Sequence, residues 1–87
     1  MAASQLRSVT ATSSYVALPD IPAVRVSILN QTGATLSIDM VGDSGANKEI
    51  VLANSLSVGI SVVANADEIR IKSTTGGTTG VYVVIDN

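Results

Sequence analysis

The chain has 87 residues, enough for one small domain. It contains no histidine and no cysteine, which excludes Ser-His and Cys-His catalysis, cysteine- or histidine-ligated zinc, Fe–S clusters and disulfides. Five basic residues against seven acidic ones give a net charge of −2. The cations Arg7, Arg25, Lys48, Arg70 and Lys72 are too scattered for the basic stripe that binds nucleic acid, so no nucleic-acid partner is expected.

Val, Ile and Thr together make up about a third of the chain. Their branched Cβ atoms cost rotamer freedom in a helix and suit a pleated sheet, so an all-β fold is expected. In chain order, residues 1–22 read as an extended N-terminal arm and 23–87 as the folded domain. Within the arm, residues 4–14 alternate weakly and 15–18 form a short strand. Pro19 and Pro22 bracket a segment that crosses in extended form. Either the arm packs on a neighbouring molecule or its end frays; on the first reading Tyr15, Leu18 and Ile21 are its anchors and the candidate interface.

From residue 23 the hydrophobic period is two. Val24, Val26 and Ile28 alternate with Arg25 and Ser27; Thr32-Gly33-Ala34 signals a turn; Leu36, Ile38 and Met40 then alternate with Ser37 and Asp39. These two runs are expected to pair as a hairpin. Residues 42–47 form a polar loop, and 48–53 a short strand. Residues 56–63 form a strand with Leu56, Val58, Ile60 and Val62 on one face, 68–74 a strand carrying Ile69 and Ile71, and 81–86 a last, nearly all-apolar strand. The expected core is Val24, Ile28, Leu36, Ile38, Leu56, Val58, Ile60, Ile69, Ile71, Val83 and Ile85. About seven or eight strands at this spacing predict a single antiparallel β-sandwich or a jelly-roll-like small barrel.

Little of the chain points to chemistry. Asp43, Asp67 and Asp86 fall at turns or at the end of the last strand, where short polar side chains cap backbone amides. Asp43, Asn47 and Glu49 are oxygen donors in one loop, but they lack Ca²⁺-loop spacing and Lys48 competes, so no metal is expected. The Gly-rich run 75–80 leads into a strand with no lysine after it, which is wrong for a phosphate loop. Asn30-Gln31-Thr32 matches a glycosylation sequon by chance. No cofactor and no enzymatic activity are expected. The start of the sequence lacks a charged stretch followed by an apolar run, so no secretion signal is expected. The charge-poor stretch 52–66 is polar-interrupted and too short to span a bilayer, and no basic amphipathic helix is visible; no membrane partner is expected.

The outward positions are mostly Ser, Thr, Gly and Ala. Soluble monomers guard sheet edges with charge or proline, and this chain has few such guards. A homo-oligomer is therefore expected.

The run 26–38, Val-Ser-Ile-Leu-Asn-Gln-Thr-Gly-Ala-Thr-Leu-Ser-Ile, resembles a segment found in many small virion proteins of tailed bacteriophages. So do 50–58, Ile-Val-Leu-Ala-Asn-Ser-Leu-Ser-Val, and 65–72, Asn-Ala-Asp-Glu-Ile-Arg-Ile-Lys. The resemblance implies a β-sandwich or jelly-roll subunit present in many copies, often as trimers, on a virion assembled in the host cytoplasm. Its function would be to decorate and cement the head through multivalent contacts with itself and the major capsid protein. The alternative is a tail or fibre module that binds a receptor or carbohydrate through loops 42–47 and 75–80.

Overall fold

A computed structural model describes residues 4–87. The described residues form an all-β sandwich of eight strands: β1 (Ser4–Ala11), β2 (Val16–Ala17), β3 (Arg25–Asn30), β4 (Leu36–Met40), β5 (Ile50–Leu52), β6 (Ser57–Ser61), β7 (Ile69–Ser73) and β8 (Thr78–Asp86). One sheet has the order β1-β8-β3-β6 and the other β2-β7-β4-β5, and every pairing is antiparallel. This order is the eight-stranded double-sheet jelly roll. One turn of 3-10 helix, Ala66–Glu68, precedes β7, and no helix among the described residues is long and apolar enough to cross a membrane.

Alternation explains the layering. Val26 and Ile28 of β3, Leu36 and Ile38 of β4, Ile69 and Ile71 of β7, and Val81, Val83 and Ile85 of β8 point between the sheets and are fully buried. Ala11, Leu18, Ala23, Leu52 and Ala66 complete the core. Two expected core residues lie elsewhere. Val24 is 58% exposed and Leu56 is 55% exposed. Val24 has inward parity but precedes β3, where the opposite sheet no longer covers it. Leu56 sits in the turn before β6, and the buried position it pairs with belongs to Asn30.

The expected hairpin over 23–41 does not form. Strands β3 and β4 lie in different sheets, and of the consecutive strand pairs only β4 and β5 are hydrogen-bonded neighbours. A turn sequence alone does not distinguish a hairpin from a corner between layers; here Asn30 makes the corner. Its fully buried side chain donates to Ala34 O (2.7 Å) and Leu52 O (2.9 Å), and accepts from Thr32 N (3.0 Å) and Thr32 Oγ1 (2.7 Å). The same corner passes so close to β8 that a Cβ on Gly80 would lie 2.6 Å from Gln31 O. With both amide hydrogens engaged in the interior, Asn30 cannot carry a glycan.

Residues 4–22, expected as an arm, are extended and supply an edge strand to each sheet. Strand β1 pairs with β8 over most of its length, and β2 pairs with β7.

Candidate functional site

The three expected anchors are engaged within their own chain. Leu18 is 2% exposed and Ile21 packs against the core. Tyr15 lies on the outer face of the second sheet, across from Lys72 by extension of the β2–β7 register. Its ring centroid is 4.7 Å from Lys72 Nζ and 5.1 Å from Arg70 Cζ, both within cation–π range. Its hydroxyl donates to Glu49, which also faces Lys72 at 3.8 Å. Beside it, Arg70 grips Asp39 with Nε at 2.9 Å and a second guanidinium nitrogen at 2.6 Å. That hydrogen bond raises the Arg70 pKa above the ordinary arginine value.

Every charge in this cluster has a partner. The arrangement spans the sheet from β2, which has two residues, to the start of β5, which has three. Strands this short contribute few ladder bonds, and the side-chain strap compensates.

The two loops proposed for ligand binding do not form one site. Met40 pairs with Ile69 and Leu36 with Ser73. Loop 42–47 therefore follows one end of the second sheet, while the β7–β8 turn leaves the other, and residues 78–80 belong to β8 itself. Residues 44–46 of that loop line an open cleft of about 280 Å³ together with Tyr15, Asp39, Glu49 and Arg70. The three oxygen donors of this region do not converge. Asp43 pairs with Lys48 at 2.6 Å, and Glu49 faces Tyr15 and Lys72.

At the 42–47 end, Glu68 closes the corner from β6 to β7. Its carboxylate accepts from the backbone N–H of Val63 (2.9 Å), Ala64 (2.7 Å) and Asn65 (2.9 Å). These bonds, Val63's foremost, lower its pKa below the ordinary glutamate value. A depressed carboxylate contributes stability above the unfolded-state pKa, and that contribution is lost as pH falls through the folded one. Acid unfolding followed by circular dichroism should therefore show wild type losing more stability below about pH 4.5 than Glu68→Gln; parallel curves would contradict this role.

A further candidate surface is the first sheet's rim and outer face. Strand β6, Ser57–Ser61, is an edge with no charge and no proline. Asn30 N bonds Leu56 O and Val62 N bonds Val24 O. With the β3–β6 register, this directs Val58 and Ile60 amides to β3 and leaves those of Ser57, Gly59 and Ser61 on the open side. Gln31 N bonds Gly80 O, and the same alternation carried across β8 leaves the backbone groups of Ser4, Leu6 and Ser8 open on β1. On both edges the residues with open backbone groups are those whose side chains lie on the outer face. Apolar groups flank the rims: Leu6 is 65% exposed on β1 and Val51 70% on β5.

Fold and rim together define a small all-β sandwich with open backbone groups on both edges of the first sheet. No family model matches the chain, and no curated protein matches it. Among solved structures it is similar to a chain of the one described as "Bacillus endospore appendages form a novel family of disulfide-linked pili". The two share 21% identity with a TM-score of 0.60, covering 99% of this chain and 84% of the other. That likeness is one of fold, to a structural protein of a bacterial appendage. The present chain has no cysteine, so disulfide links are not open to it.

Proposed function

We propose that the chain is a non-catalytic structural subunit that polymerises edge to edge, the first sheet of one copy continuing into that of the next. The observation that carries the reading is the unguarded β6 edge on one side of the first sheet and a matching β1 edge on the other. Strands β1 and β6 run in opposite directions within the sheet. Copies in the same orientation can therefore join β6 to β1 as an antiparallel ladder, with Ser61 against Ser4, Gly59 against Leu6 and Ser57 against Ser8. Faces and open backbone groups then match at all three positions. Joining two different edges is a heterologous contact, which closes into a ring or extends as a filament. Contacts repeated along such an array hold it even where each is modest. The likeness to a pilus structure supports an appendage as the setting. The runs 26–38, 50–58 and 65–72 support a second setting, a phage head, where the same edges would meet copies held on the major capsid protein.

Ser57→Pro tests the reading. Its N–H points away from β3, so proline removes an open donor and leaves the internal ladder intact. In sedimentation and negative-stain microscopy, wild type should form rings or filaments. The folded variant should need at least about tenfold more protein to do so, the loss of roughly one such contact. A variant that assembles like wild type, or a wild type that stays monomeric at every concentration, would overturn the proposal.

A further inference from the structure

Arg25 and Asp86 are opposite each other in the β3–β8 register, with both side chains on the outer face of the first sheet. Opposite charges so placed ordinarily pair, yet these two turn away from each other. Arg25 lies across β6, where a Cβ on Gly59 would stand 2.1 Å from its terminal nitrogen; glycine leaves the track open. Asp86 turns the other way and accepts from Ser4 Oγ of β1 at 2.5 Å. Arg7 is held by Leu6 O and Gln5, Lys48 by Asp43, Arg70 by Asp39 and Lys72 by Glu49. Among the described residues, Arg25 is the basic side chain left without a partner.

The cation thus leans toward one open edge of the sheet and the carboxylate toward the other, in the same row: Ser4, Asp86, Arg25, Ser61. We infer that Arg25 of one copy pairs with Asp86 of the next across the β6–β1 junction, fixing the register of assembly; the inference rests on the edge-to-edge reading above. With Ser61 against the neighbour's Ser4, the two Cα positions are three strand spacings apart, about 14 Å. An extended arginine and an aspartate close that span. The pair also sets direction. Joining β6 to β6 offers Arg25 only another Arg25, and joining β1 to β1 offers Asp86 only another Asp86, so head-to-tail growth is the arrangement that satisfies both charges.

Charge reversal tests the pair. Arg25→Asp and Asp86→Arg should each raise the concentration needed for assembly at least about tenfold, while the double variant R25D/D86R regains most of it. Thermal melts of dilute, unassembled protein serve as the fold control. Each single variant sets like charges opposite each other in the β3–β8 register and should melt somewhat below wild type while remaining folded, and the double variant should match wild type. Single variants that assemble like wild type, or a folded double variant that recovers nothing, would overturn the pair. If Ser57→Pro still blocks assembly in either case, the edge-to-edge reading stands without it. If Ser57→Pro assembles freely, the edge reading itself fails and the pair with it.

Discussion

Asn30→Asp is expected to destabilise this protein more than any other change of similar size. The substitution preserves shape, removes the amide donors and introduces a carboxyl group. Asn30 is fully buried, and its amide group donates to Ala34 O and Leu52 O. An aspartate sets a carboxylate oxygen against the Leu52 carbonyl, in a buried contact, and the part-buried Ala34 carbonyl, both of which lose the amide donor. Each unsatisfied buried group costs about 1–3 kcal/mol, and the desolvated charge adds to that. A total of about 4 kcal/mol or more is a large share of the roughly 5–15 kcal/mol that holds a domain of this kind together.

The backbone makes the site still more exacting. Asn30 N bonds Leu56 O, and Asn30 O accepts from Ser55 N at 2.6 Å. One residue therefore ties down the β3–β4 corner and the β5–β6 connection, two of the crossings that keep the sheets in register. Urea unfolding at pH 7 measures the cost. The variant should also recover stability as pH falls, because burial raises the pKa of the introduced carboxyl group above its unfolded value and protonation removes the charge. A variant within about 1 kcal/mol of wild type, with an unchanged pH trend, would show that Asn30 does not hold the corner.

The same residue shows where sequence reading succeeds and where it stops. Period-two alternation located the strands from residue 23 onward and predicted an antiparallel sandwich, because one face of each strand must be apolar to fill the space between sheets. It did not say which strands are neighbours. The turn at 32–34 suits a hairpin and a sheet-to-sheet corner equally well. The signal that could have separated them was Asn30 itself, a polar residue continuing the inward parity of Val26 and Ile28 just before the turn. Val24 and Leu56 were expected inside on parity alone, which does not report where the opposite sheet ends.

The surface features depend on register between distant segments. That Tyr15 reaches Glu49, or that Arg25 stands opposite Asp86 and does not pair with it, follows from pairings no local pattern encodes. The shortage of edge guards, in contrast, could be read directly. Ser57–Ser61 is uncharged, and the structure places it on an open rim.

Amide hydrogen exchange on assembled and dilute protein is the most direct test of that rim as the joint between copies. The N–H groups of Ser57, Gly59 and Ser61, and those of Leu6 and Ser8, face away from their own sheet. In the dilute monomer they should exchange quickly, while those of Val58 and Ile60 are held by β3. On assembly an antiparallel ladder encloses them, and their exchange should slow by about a hundredfold or more, equivalent to roughly 2.7 kcal/mol of protection. Protection that appears at these five amides is the result this account predicts. Assembled material in which they exchange as fast as in the monomer, with new protection elsewhere, would contradict it.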